Sequence, residues 1–319
     1  MNSCVFIIPY FGKMNNYFEL FLKSCKWNND FDWLIFTDDK ALYNYPKNVT
    51  VNYCTFNELD SFIYTKVGFH VNTPYKLCDY KPAYGHIFSS FIKGYQMWGY
   101  CDNDLIFGKL NNWITPNKIA QYDKIGILGH LTLIKNSEVH NRIFMDNIDG
   151  KSWYKEVFSS KENKFFDEQG GNSINTLFRK RRLKIFYDFP VADIYTLSSK
   201  FRLVKYITEN KYIVDSEKEH LFIWNNGRIF RYYVINGNLK HEEYAYIHLQ
   251  KRKMNMPLYK TFIKANEYKI IPNSFKEIRK IPNSIEEFNS IKKYAFNMQL
   301  FRVKYLHLKI KLKRVKNYI

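Results

Sequence analysis

Cysteine is scarce in this 319-residue chain, and what there is does not form a pattern. Cys4, Cys25, Cys54, Cys78 and Cys101 are odd in number, lie in the first third and contain no CxxC pair. A disulfide framework and a structural zinc site are therefore not expected, and reduced thiols in a cytosol are. Glycine, 13 residues, and proline, 9, are too few for a collagen-like or low-complexity architecture. No apolar run approaches the roughly 20 residues of a spanning helix. The apolar stretch from Cys4 to Phe11 has no basic segment before it and contains Pro9, so it does not read as a signal peptide. A soluble cytoplasmic protein is the expectation, with peripheral contact to the inner face of the cytoplasmic membrane left open to it.

What is present is enough for a core. The chain is 46% hydrophobic and 25% charged, which excludes a disordered or fibrous protein. Tyr, Phe and Trp number 26, 27 and 6, within a Lys-, Asn- and Ile-rich mix that AT-rich coding yields without a functional reason. The formal charge of +19 suits nucleic acid, an anionic membrane surface or phosphorylated ligands. Its distribution says more. Seven Lys/Arg and no acid fall between Phe301 and Ile319.

The order of elements points to an α/β fold. Cys4–Ile8, Trp33–Thr37 and Val49–Tyr53 read as buried strands, with a helix over Asn15–Trp27 between the first two. A helix is expected over Lys81–Tyr95, then a strand over Met97–Cys101. Strand and helix alternating at this pace predict a mostly parallel, Rossmann-like sheet with flanking helices. Further on, Lys124–Leu133 and Lys184–Phe189 read as strands and Glu168–Arg181 as a helix. Ile229–Ile235 and Tyr244–Leu249 read as strands around a turn at Gly237. From Ile285 to the end the spacing predicts one long helix.

Three motifs carry chemistry. In Tyr100-Cys-Asp-Asn-Asp104, two carboxylates at i and i+2 follow a buried strand and leave it in the same direction. The carboxyl end of a strand is where open α/β sheets bind ligands. Hard oxygen ligands there suit Mg²⁺ or Mn²⁺ bound with a nucleotide diphosphate, although Asp-x-Asp is also a common polar turn. Next, His248-Leu-Gln-Lys-Arg-Lys253 offers a metal ligand followed by three cations for phosphate, or else a solvated strand end. Finally, Asp167-Glu168 before Gly170-Gly171 could meet sugar hydroxyls, with a helix start capped by Asp167 as the alternative.

Taken in order, Ile8-Pro-Tyr-Phe-Gly12, Phe36-Thr-Asp-Asp39, Tyr75-Lys-Leu-Cys-Asp-Tyr-Lys-Pro-Ala-Tyr84, Gly99-Tyr-Cys-Asp-Asn-Asp104 and His248-Leu-Gln-Lys-Arg-Lys253 resemble bacterial capsule and cell-surface polysaccharide glycosyltransferases. These are nucleotide-sugar-dependent enzymes of the GT-A fold, and the resemblance spans roughly residues 4–255. It implies metal binding by Asp102, Asp104 and His248, with Mn²⁺ or Mg²⁺ as cofactor. It implies that Lys251 and Lys253 face the diphosphate. Pro9, Tyr10, Phe11 and Gly12 would pack against the base, with Asp38 or Asp39 near the nucleoside. Asp79, with Lys76 in the same segment, and Asn103 would complete the donor site. Asp167 and Glu168 match an Asp-Gln-x-x-x-Asn stretch of lipopolysaccharide galactosyltransferases, with Glu168 in place of the amide, and are the implied catalytic residues.

The activity implied is transfer of a galactose- or glucose-type hexose from a UDP-sugar to a lipid-linked glycan acceptor in surface polysaccharide synthesis. Retention of stereochemistry is preferred on the Asp79 and Asp167 resemblances alone; no dedicated base is then needed, because the leaving phosphate oxygen can take the acceptor's proton. With inversion, Asp167 or Glu168 would serve as base. The resemblance divides the chain into a nucleotide-sugar half at 1–110, an acceptor half at 111–255 and a helical basic extension at 256–319. In the extension, Phe301, Tyr305, Leu308, Leu312, Val315 and Ile319 form one apolar helical stripe flanked by cations. That pattern suits an anionic membrane surface, a packed terminal helix or a dimer contact. The rival classes are a basic nucleic-acid-binding protein, for which no module is recognisable, and a nucleotide-sugar hydrolase or phosphotransferase on the same metal site.

Overall fold

The computed structural model describes residues 2–168, 170–195, 201–208, 211–214, 221–250, 252, 254–257, 260–292, 298, 301–302, 304–305 and 308–309. The chain divides into two compact units, Met1–Leu105 with Leu110–Phe189 and Tyr206–Lys211, and Ile106–Lys109 with Pro190–Lys205 and Tyr212–Ile319. They are interleaved along the chain, where the sequence reading divides it serially.

The first unit is a mixed α/β layer around a mainly parallel sheet. Its strands are β1 (Cys4–Pro9), β2 (Phe31–Thr37), β3 (Val49–Tyr53) and β4 (Met97–Cys101). Beyond β5 (Leu105–Phe107), which lies in another sheet, come β6 (Lys124–Leu128) and β7 (Leu131–Lys135). With the short strand Ile185–Phe186, the sheet order is Ile185–Phe186, β6, β7, β4, β1, β2, β3. β1 runs parallel to both β2 and β4, β2 runs parallel to β3, and β7 is antiparallel to β4 and β6. Cys4–Ile8 and all of β4 are buried without apolar–polar alternation, as expected of strands covered on both faces. Helix α1 (Phe18–Lys26) buries Phe18, Leu20, Phe21, Leu22 and Cys25, while α2 (Phe56–Val67) opens on a capping box between Thr55 and Glu58 and closes on left-handed Gly68.

From β1 the chain builds outward to β2 and β3, then returns to β4 on the other side. The carboxyl ends of β1 and β4 therefore flank the switch in strand order, the place where such sheets form a ligand crevice. A side chain at Gly99 in β4 would put its Cβ 2.0 Å from Thr132 O of β7. Only glycine permits that approach.

Four expected elements differ. The apolar run at 124–133 is not one strand but the hairpin β6–β7, which reverses at Gly129-His130. The helix expected over 81–95 is a 3₁₀ turn, Lys81–Ala83, and a short helix, Tyr84–Ile87, before the chain turns through Ser89-Ser90 and Gly94, φ 88°. The helix expected from Glu168 starts instead after Ser173, at Ile174–Lys180, because Gly170 is left-handed, so Asp167 is not a helix cap. The terminal helix from Ile285 closes at Ile291. Helical residues recur at 301–302, 304–305 and 308–309, whereas Leu312, Val315 and Ile319 lie outside the described residues.

The second unit holds most of two five-stranded sheets. One has the order Lys211–Val214, Leu203–Thr208, Val191–Ile194, Tyr246–His248, β5. The other, antiparallel, has the order Asn238–Tyr244, Arg228–Ile235, Leu221–Asn225, Glu267–Ile271, Ser274–Glu277. The expected turn is present, with Asn236 and Gly237 both at positive φ, as a two-residue hairpin demands. Leu221, Ile223, Tyr232, Ile271, Ile278 and Phe288 form a core against the second sheet. Among the described residues, no helix is long and apolar enough to cross a membrane.

Candidate active site

In the first unit, the loops after β1, β2 and β4 are tied together. Gly12 N donates to Asp38 Oδ1 at 2.7 Å, and Met14 N donates to Asp39 Oδ2 at 2.9 Å. Asn15 Nδ2 donates to Asn103 O at 3.0 Å. The segment Pro9–Gly12, the Asp38-Asp39 pair and the Asp102–Asp104 turn are thus neighbours at one sheet edge. Asp39 also accepts from Ala41 N and from the Tyr43 hydroxyl. Its pKa is lowered, chiefly by the Met14 N–H. Phe11 packs edge-on against Phe56 with ring centroids 5.4 Å apart.

Behind the acid turn sits a buried ammonium. Lys81 Nζ donates to Asp102 Oδ1 at 2.7 Å and to Gly129 O at 2.8 Å, and lies 3.5 Å from Asp167 Oδ2. Burial pulls the Lys81 pKa down, but the charges of Asp102, Cys78 and Asp167 more than offset this and hold it well above the ordinary lysine value. Burial also dominates at Asp167, raising its carboxyl to about 7 against the opposing pull of Lys81. The Gly129 turn contacts both acids. Its N–H donates to Glu168 Oε2 at 2.8 Å, and a Cβ there would stand 2.3 Å from Asp167 Oδ2. Tyr100 OH donates to Asp167 O at 3.2 Å from within β4.

Asp79 and Lys76 are fully buried and hold the chain that leads into Asp167. Asp79 accepts from Lys76 Nζ at 2.7 Å, Lys164 N at 2.9 Å and Phe166 N at 3.2 Å. Lys76 Nζ also donates to Glu162 O at 2.6 Å. Between the two amides, Phe165 is left-handed, φ 54°, a conformation that a bulky residue resists.

The second unit presents His248 at the end of Tyr246–His248. Its Nδ1 lies 2.8 Å from Asp193 Oδ1, and Gln250 Nε2 donates to the same oxygen at 2.5 Å. Arg252, which the sequence groups with the phosphate-facing cations, is buried here. It donates to Pro272 O at 3.0 Å and stands 5.5 Å over the Phe201 ring. Lys251 and Lys253 lie outside the described residues.

Asp102, Asp104 and His248 are donors of the kind a divalent cation takes. The two carboxylates suit hard Mn²⁺ or Mg²⁺, and a neutral imidazole, its Nδ1–H given to Asp193, suits Mn²⁺. This donor chemistry fits the expected metal. Three residues that these contacts single out escape sequence reasoning. Lys81 lies within a quoted motif but reads as a helix position, Gly129 reads as mid-strand, and Asp193 shows only as an acid inside the apolar run Val191-Ala-Asp-Ile194.

No curated protein sequence matches the chain. Among the solved structures similar to part of it are two of one enzyme. One is the galactosyltransferase LgtC in complex with donor and acceptor sugar analogues, at 9% identity over 60% of this chain and 76% of that one, TM-score 0.35. The other is an active-site mutant of LgtC, at 10% identity over 60% and 75%, TM-score 0.34. Overlaps this shallow show neither chemistry nor substrate. A family model does match, over residues 6–279, and by it the chain belongs to DUF6625, a family of unknown function.

Proposed function

We propose that this chain is a metal-dependent glycosyltransferase of GT-A type, moving a galactose- or glucose-type hexose from a UDP-sugar to a glycan acceptor with retention of configuration. The observation that carries the reading is the acid turn Asp102–Asp104 at the carboxyl end of β4, beside the strand-order switch, with Lys81, Asp167 and Glu168 packed behind it. Few structural needs would gather four acids and a buried ammonium at that edge; perturbed, buried charges in a crevice mark functional sites.

Asp102, Asp104 and His248 would hold Mn²⁺ or Mg²⁺, which supplies positive charge to a departing diphosphate. Pro9–Gly12 and Asp38-Asp39 would form the nucleoside wall, with Asn103 at the donor and Lys251 and Lys253 towards the phosphates. Lys81 holds Asp102 in position. Asp167, with its carboxyl near 7, and Glu168, pinned by the Gly129 amide, would face the sugar, where negative charge favours an oxocarbenium-like centre. The acceptor hydroxyl would then pass its proton to the leaving phosphate oxygen. A lipid-linked acceptor in bacterial surface polysaccharide synthesis, met from the cytoplasmic side by the basic segment 301–319, completes the proposal.

Calorimetric titration of UDP with and without Mn²⁺, on wild type and on Asp104→Ala, tests it. Metal-dependent binding that the substitution abolishes is expected. Wild type that fails to bind UDP in the presence of Mn²⁺ would sink the donor site.

A further inference from the structure

Val191–Ile194 and Tyr246–His248 pair in parallel, and their register sets Asp193 directly beside His248. Side chains alternate faces along a strand, so a slip of one residue would separate the two. In this register the carboxylate meets the ring at Nδ1, 2.8 Å away, and the Asp193 side chain is 1% exposed. A carboxylate can only accept, so Nδ1 carries the proton, and in the neutral ring the lone pair falls on Nε2.

The backbone adds a second observation. Just past the strand, Gln250 is left-handed, φ 48°, and its amide returns to Asp193 Oδ1 at 2.5 Å. A glutamine in that conformation costs on the order of 1 kcal/mol, and persists only where its surroundings insist on it. One buried carboxylate oxygen thus orients both an imidazole and an amide. An apolar pair would stabilise a sheet interior at least as well as a buried acid and histidine, which makes orientation of the ring the more economical purpose.

We propose that Asp193 is a positioning residue for His248, holding it in the tautomer and orientation in which Nε2 takes a divalent cation. This rests on the reading of His248 as a metal ligand. A carboxylate behind a metal-bound histidine fixes its ring and raises its basicity, and loss of such a partner typically weakens metal binding about 10–100-fold.

The test uses the full-length protein and Mn²⁺ alone, with affinity followed by electron paramagnetic resonance of the free ion. Asp193→Ala should weaken Mn²⁺ binding about 10–100-fold. Asp193→Asn keeps an acceptor for Nδ1–H, and should retain most of the affinity. Ring ¹⁵N shifts of His248 supply an independent readout, with the proton on Nδ1 in wild type and in Asp193→Asn and redistributed to Nε2 in Asp193→Ala. Circular dichroism identifies any variant that fails to fold, and Asp193→Asn keeps the side chain's shape. Wild-type His248 with its proton on Nε2 overturns the proposal, as does unchanged Mn²⁺ affinity in Asp193→Ala when His248→Ala is weakened. If His248→Ala itself binds Mn²⁺ as wild type does, the metal-ligand reading fails and takes the proposal with it.

Discussion

Asp79→Ala is the sharpest perturbation the first unit offers. Both side chains of the Lys76–Asp79 pair are 0% exposed. Removing the carboxylate leaves a buried ammonium whose other described partner is Glu162 O, and strips the acceptor from Lys164 N and Phe166 N. Breaking a buried pair from one side costs about 3–5 kcal/mol. Each unmet amide adds about 1–3 kcal/mol, less whatever water recovers as the loop loosens. The loss is thus expected at the upper part of the pair's range, a large share of the roughly 5–15 kcal/mol a folded protein has. Lys76→Met should cost less, because the two amides keep their carboxylate. Urea unfolding followed by tryptophan fluorescence reads the order, and limited proteolysis reads the loop, where cleavage within 161–168 should accelerate in Asp79→Ala. A loss below about 1 kcal/mol with the loop still protected would refute the clamp, since it would mean that water already shares the work of that carboxylate.

The raised Asp167 pKa has a signed consequence. Its carboxyl stands at about 7 in the fold against 3.8 for an ordinary aspartate, so the folded state binds the extra proton in between. Stability should therefore fall as pH rises from about 4 to about 7 and level off above, and Asp167→Asn should flatten that slope; equal slopes in urea melts of the two proteins would count against it. For the basic extension, Phe301, Tyr305 and Leu308 are 58%, 65% and 55% exposed. Deleting residues 300–319 should abolish sedimentation with anionic vesicles while leaving neutral ones unbound throughout, and unchanged sedimentation would rule the membrane out for this segment.

How much of this could be read beforehand follows from the kind of signal each element carries. β1, β4 and the Trp33–Phe36 stretch of β2 are short unbroken apolar runs stopped by Pro9, Asp102 or Asp38, and their shortness and those stops mark them as buried strands. The acid pair was legible for the same reason, since it interrupts a run at its end. The β6–β7 hairpin was not, because Ile125 to Leu133 reads as one β-prone run through a turn that only Gly129-His130 marks. The helix over 81–95 failed differently. Tyr84, Ile87 and Phe88 do share a buried face, but Phe91, half-exposed, comes after the chain has already turned. The clamps lay furthest from view. Asp79 reaches amides some 85 residues on, and Asp193 meets His248 across 55 residues through a strand register. Nothing local in the sequence encodes pairings of that range.

The interleaving of the two units also bears on how the chain is made. Every strand of the seven-stranded sheet has left the ribosome once Phe186 has emerged. β5 is synthesised within that same stretch but belongs beside Tyr246–His248, some 140 residues later. At about 5–20 residues per second, that strand waits on the order of 10 seconds for its neighbour. A nascent chain stalled between 190 and 245 would therefore leave Leu105-Ile-Phe107 without its strand partner, an unpaired apolar segment of the kind that holdase chaperones bind.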